Sequence, residues 1–135
     1  RSLLSEHGFH FVYDHINSYL QLASISGGTY LNGCFALGNP MGPVYSGELQ
    51  CRGLGMKVAA FDETGQPVVG RQGELVCTAP FPSMPIHFWN DPDMRKYHDA
   101  YFDMYPGIWR HGDYIVVTER GGEKITILSD ELITV

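Results

Sequence analysis

The chain has 135 residues, 9 of them basic and 15 acidic, for a net charge of −6 at pH 7, with 44% hydrophobic and 18% charged residues. Those proportions suit one compact globular unit with a modest core and exclude a disordered chain. The acidic excess, with no Lys/Arg cluster, argues against a nucleic-acid partner, and no apolar run approaches the ~20 residues that cross a bilayer.

Phe9, Phe11, Val12, His15, Ile16, Tyr19 and Leu20 recur at roughly helical spacing, which predicts one amphipathic helix over residues 6–19. Residues 20–26 then read as a buried strand running into the glycine turn Ser26-Gly27-Gly28-Thr29. From Val44 the texture changes to short strand-like runs: Gly47–Cys51, Met56–Phe61, Gly73–Thr78, Tyr114–Thr118 and Lys124–Leu128. Asp62-Glu63-Thr64-Gly65 and Glu119-Arg120-Gly121-Gly122 read as hairpin turns. Pro80 to Pro85, with three prolines, predicts an extended loop, and Asn90-Asp91-Pro92-Asp93 a capping sequence for a helix over Met94–Phe102. The expected fold is α+β: an edge helix–strand pair of an α/β sheet (residues 1–43), a β-rich, barrel-like subdomain with one inserted helix (44–127), and the start of a hinge (128–135). One helix and one buried strand leave open edges, so the chain reads as a slice of a larger domain, prone to self-association through those edges.

The glycine turn is the first chemical signal. Glycines let backbone N–H groups approach an anion closely, and Thr29 adds a hydroxyl donor. Asp113, in Trp109-Arg110-His111-Gly112-Asp113 at the start of a strand, is placed to accept from a ribose diol. His111 reads as a packing or loop-orienting residue. His7 and His10 lie three apart on a helix with no third ligand nearby, so no metal site is assigned to them. Trp89, Trp109, Tyr97, Tyr101 and Tyr105 are read as packing residues, and Cys34, Cys51 and Cys77 as free thiols in a reducing compartment.

Six stretches carry a resemblance to a known family: Ser24–Thr29, Gly47–Met56, Gly73–Thr78, Pro80–Pro85, Phe88–Pro92 and Pro106–Asp113. Together they resemble the acetoacetate–CoA ligases (acetoacetyl-CoA synthetases) of the adenylate-forming acyl-CoA synthetase superfamily. The resemblance implies a segment from the late part of the large N-terminal domain of a cytoplasmic enzyme of lipid metabolism. That enzyme would convert acetoacetate, ATP and CoA to acetoacetyl-CoA, AMP and diphosphate through an acyl-adenylate, with ATP and Mg²⁺ bound. It further implies that Gly28 and Thr29 border the acyl-adenylate, that Asp113 binds the ribose hydroxyls, and that Asp130 is the hinge residue.

The chain departs from the family at several functional positions. Tyr30 stands where an acidic Mg²⁺ ligand is expected, so no metal ligand is assigned; a phenol is a poor ligand for an ion that favours carboxylate and phosphate oxygens. Leu128 stands where a nucleotide-contacting arginine is expected, and Arg1-Ser2-Leu3 replaces an adenine-packing glycine-serine-proline loop. The lysine-ending phosphate loop and the catalytic lysine of the C-terminal domain are not found, so the chain alone is expected to be inactive. Two other readings stand beside the ligase: a non-catalytic β-rich interaction module and a decayed gene fragment.

Overall fold

The computed structural model describes residues 4–126, with side chains to residue 122. Helix α1 spans Glu6–His15 and is capped by Ser5, whose hydroxyl accepts from the Gly8 amide at 3.1 Å. Only Phe9 of this helix is buried, so its apolar stripe is narrow, and it ends before the predicted residue 19. Residues 20–25 form no strand, and Ile25 is 61% exposed, contrary to the buried strand expected over 20–26. Among the described residues no strand pairs with residues 20–25, whose contacts are side-chain bonds such as Leu22 N–H to the Tyr13 hydroxyl at 3.3 Å, and an apolar segment without a strand to pair its backbone gains little from extension.

Two antiparallel sheets follow. The first joins β1 (Ser26–Gly28), β2 (Gly33–Leu37) and β3 (Cys51–Arg52) in that order. The second holds β4 (Val58–Phe61), β5 (Pro67–Val68), β6 (Gln72–Cys77), β7 (Trp109–Val117) and β8 (Glu123–Thr126) in the order β5-β4-β6-β7-β8. Helix α2 (Arg95–Tyr101) is inserted between β6 and β7. The fold is α+β as expected, but the β-rich part is an open sheet with β5 and β8 at its edges, not a closed barrel. Closure would need β5 and β8 to pair. β5 is only two residues long, and it pairs with β4.

Both predicted hairpin turns form. The Asp62 carboxylate accepts from the backbone amides of Thr64 and Gln66 and from the Thr64 hydroxyl, closing the β4–β5 turn from within. In the other, the Thr118 amide donates to the Gly122 carbonyl at 2.8 Å and joins β7 to β8. Asp91 supplies the capping foreseen for α2: its carboxylate accepts from the Lys96 and Tyr97 amides at 3.0 and 2.9 Å. The helix nevertheless starts at Arg95, because Met94 holds a left-handed φ of 56°.

The core is aromatic. Trp109 is 2% exposed and stacks on Tyr101 at 3.6 Å, with Phe35, Phe81, Tyr97 and Phe102 meeting it edge-on. Tyr97 and Tyr101 therefore pack as expected, while Tyr105 lies beyond the helix against Phe61. Trp89 does not pack: it is 91% exposed. The three cysteines are free, Cys77 buried and the others half-buried. Burial pushes the Cys77 thiol above its ordinary pKa, which keeps it protonated and unreactive. Among the described residues no helix is long and apolar enough to cross a membrane, and no three metal-ligating side chains converge.

Candidate functional site

The glycine turn is a hairpin rather than the end of a strand. Gly27 pairs with Cys34 and Gly28 with Gly33, after a register shift between Ser26 and Gly27. The strands approach so closely that a Cβ on Gly27 would run into the Gly33 carbonyl and the Cys34 Cα, so only glycine fits there. The turn runs over residues 29–32. Asn32, at φ 45°, donates its amide to the Thr29 carbonyl at 3.3 Å, and buried Leu31 pins the turn to the core. Thr29 and Tyr30 are thereby left exposed at the tip. Beside it, the buried Ser83 hydroxyl faces Gly33, 3.1 Å from where a Cβ would stand, with no hydrogen-bond partner among the described residues. Nothing in the proline-rich sequence around Ser83 signals this approach, which depends on where the 80–85 loop lies against β2.

Asp113 lies within β7 and is 7% exposed. Its Oδ2 sits 3.6 Å from Nε2 of His111, whose side chain is buried at 3% exposure. The His111 ring meets Phe35 of β2 edge-on at 4.9 Å. One layer of side chains therefore links the aspartate to the strand paired with the glycines, although Gly28 and Asp113 are 85 positions apart in the chain. His111 has the packing and orienting place foreseen for it.

Two further carboxylates are buried, one against this motif and one at the β7–β8 turn. Glu74 of β6 is 8% exposed; it accepts the Gly112 amide at 2.9 Å and lies 3.4 Å from Arg110 Nε. Glu48, 6% exposed, takes the Arg120 guanidinium at 2.6 Å, and Arg120 in turn covers the Tyr45 ring. Neither was singled out from the sequence. The available signal was a carboxylate between apolar strand residues, Gly73-Glu74-Leu75, because such a group is retained inside only when it is paired.

Tyr30 does not offer a metal ligand. It is 68% exposed, and its ring leans on Phe88 at 5.4 Å. With no convergent carboxylates among the described residues, the side chains present do not fit Mg²⁺ at this position. Leu128, Asp130 and Arg1-Ser2-Leu3 lie outside the described residues, as does the 128–135 hinge segment.

No family model matches the chain. It is 54% identical over 129 residues to the acetoacetyl-coenzyme A synthetase of Rhizobium meliloti (strain 1021), covering 96% of this chain and 20% of that protein. It is 50% identical over 121 residues to the acetoacetyl-CoA synthetase of Gallus gallus, covering 90% of this chain and 18% of that one. The solved acetoacetyl-CoA synthetase from Streptomyces lividans superposes with a TM-score of 0.84 at 50% identity, over 93% of this chain and 20% of that structure. The chain thus spans about a fifth of the length of the relatives it matches.

Proposed function

With the chain homologous to a segment of the acetoacetyl-CoA synthetases, we propose that it supplies part of the nucleotide site of an ATP-dependent acid–CoA ligase acting on acetoacetate. The observation that carries this reading is the 54% identity over 129 of the 135 residues, a span that takes in the glycine hairpin and the His111–Asp113 segment of β7. The alternative of a non-catalytic module is not favoured by identity at that level.

In the proposed reaction an acetoacetate carboxylate oxygen attacks the α-phosphorus of ATP. The bond to the β-phosphate oxygen breaks, diphosphate leaves, and an acyl-adenylate forms. The CoA thiol then takes the acyl group, releasing AMP and a proton. The segment's part is positioning and charge stabilisation. Gly28 and Thr29 border the α-phosphate, with the exposed Thr29 hydroxyl donating to it, and Asp113 accepts from the ribose hydroxyls. Asp130 is the residue about which the following domain turns. Because Tyr30 does not fit Mg²⁺, no step is routed through a metal held there. The 135 residues span only a fifth of the relatives' length, and the proposed thioester formation is assigned to the whole enzyme.

A graft tests this. Residues 4–126 replace the matching segment of the Streptomyces lividans enzyme, once as they stand and once with Tyr30→Asp. Acetoacetate-dependent AMP release is expected from the Tyr30→Asp graft, at least tenfold above the unmodified one, because an aspartate there would supply the acidic Mg²⁺ ligand that a phenol does not. A folded Tyr30→Asp graft that releases no AMP rules the reading out.

A further inference from the structure

β7 carries three residues, His111, Gly112 and Asp113, where the facing strand carries only Leu75. Glu74 pairs with Tyr114 and Val76 with Arg110, and the register shifts between them. The motif is therefore itself a bulge, a device that re-aims side chains and takes backbone groups off the ladder. Gly112 is its pivot at φ 85°, with nothing within 4 Å of an added Cβ, so conformation and not crowding asks for glycine. Its N–H is taken up by Glu74 Oε1 at 2.9 Å, while Oε2 of the same carboxylate lies 3.4 Å from Arg110 Nε. Glu74 thus grips the bulge at its centre and at its entry. A carboxylate buried in a strand between Gly73 and Leu75 is costly unless held by such partners. Asp113 directly follows the gripped amide and is itself 7% exposed, so it has little freedom beyond that set by the bulge.

We propose that Glu74 is a positioning residue for Asp113: by accepting the Gly112 amide it fixes the His111–Asp113 bulge, and so sets where the Asp113 carboxylate meets the ribose diol of an adenosine nucleotide. The inference rests on the nucleotide reading above. Glu74 does not touch the nucleotide; it acts through the backbone.

The test is NMR on the full 135-residue chain with two variants. Glu74→Gln keeps an acceptor in place, and Glu74→Asp withdraws it by one methylene. In Glu74→Asp, hydrogen-exchange protection of the Gly112 amide falls about tenfold, the loss expected for one hydrogen bond to a charged acceptor. The Asp113 ¹³Cγ resonance moves as well, while protection at Ile115 reports that the sheet stays folded. Glu74→Gln restores both signals to near their wild-type values. AMP binds Glu74→Asp about tenfold more weakly than wild type, and 2′,3′-dideoxy-AMP, which lacks the diol, binds the two equally. Wild-type Gly112 and Asp113 signals in a folded Glu74→Asp overturn the positioning role and leave the nucleotide reading standing. AMP affinity is read in the Streptomyces lividans graft as well, with and without Glu74→Asp; if AMP binds neither the 135-residue chain nor the graft, the nucleotide reading fails, and the proposal fails with it even where the bulge responds.

Discussion

The two sheets divide the proposed nucleotide site between them but are built differently. Among the described residues, seventeen apolar side chains are buried; five lie in the part through residue 54, which includes the β1–β3 sheet, and twelve in the part from Val58 onward. Large exposed apolar residues lean the other way: among the described residues eight of the thirteen, Phe11 to Leu54, lie in the first part, and five, Val69, Ile86, Trp89, Met94 and Met104, in the second. The five-stranded sheet carries its own aromatic core, whereas the glycine hairpin borrows one through Phe35, which touches Phe81, Trp109 and His111. Half of the site thus stands on a packed platform, and the other half is pinned to it by a few side chains. Loops and turns held this way are the low-stability regions from which binding elements are drawn.

The comparison breaks most completely at Trp109. Trp109→Ala removes the ring on which five others pack and should cost about 3–5 kcal/mol in a urea melt. A loss under about 1 kcal/mol would mean that the platform is not where the stability lies. Phe35→Ala sharpens the contrast. It should cost about 3 kcal/mol and strip hydrogen-exchange protection from β1–β3 while β4, β6 and β7 stay protected. Equal loss in both sheets would show a single cooperative unit instead.

Gly112→Ala isolates the bulge. An added methyl meets open space, so the cost of about 1 kcal/mol comes from backbone conformation alone, read as a lowered melting midpoint. Smaller still is the pH dependence of the turns. Side-chain and backbone donors at Thr64 and Gln66 hold the Asp62 carboxyl below its ordinary pKa. At Asp91 burial pushes upward, but the Tyr97 and Lys96 amides outweigh it, and the net direction is also down. A group whose folded pKa is depressed contributes stability above its unfolded value near 3.8, lost as pH falls through the folded value. Asp62→Asn and Asp91→Asn should therefore melt lower than wild type at pH 7, with the gap closing below about pH 4. A gap that persists at pH 2 would point to lost packing rather than lost charge. Trp89→Ser, at a fully solvated ring, should move stability by no more than about 0.5 kcal/mol.

What was legible from the residues follows from how far each signal reaches. Asp62-Glu63-Thr64-Gly65 declares its turn because the aspartate bonds to amides only two and four residues on. The apolar runs of β4, β6 and β7 declare themselves for a similar reason: alternation and β-branching belong to the strand itself. The run at 20–26 carried the same apolar signal, but only Ser26 at its end is in a strand, since among the described residues nothing pairs with the backbone of 20–25. β2 went unnoticed because Gly33-Cys34-Phe35-Ala36-Leu37 follows a glycine turn that read as an end, not as the tip of a hairpin.

By itself the sequence determined the chemistry on offer: glycines where a backbone must pass close, a threonine and an aspartate suited to a nucleotide, and a tyrosine that cannot replace an acidic ligand. Those are properties of single residues and their immediate neighbours. Tertiary structure alone decided that His111, Gly112 and Asp113 stand opposite one residue of β6, that Glu74 holds the bulge they form, and that Phe35 joins the two halves of the site. Register and burial are relations between strands far apart in the chain. A one-residue slip would leave every local propensity unchanged while moving each of those side chains to the other face.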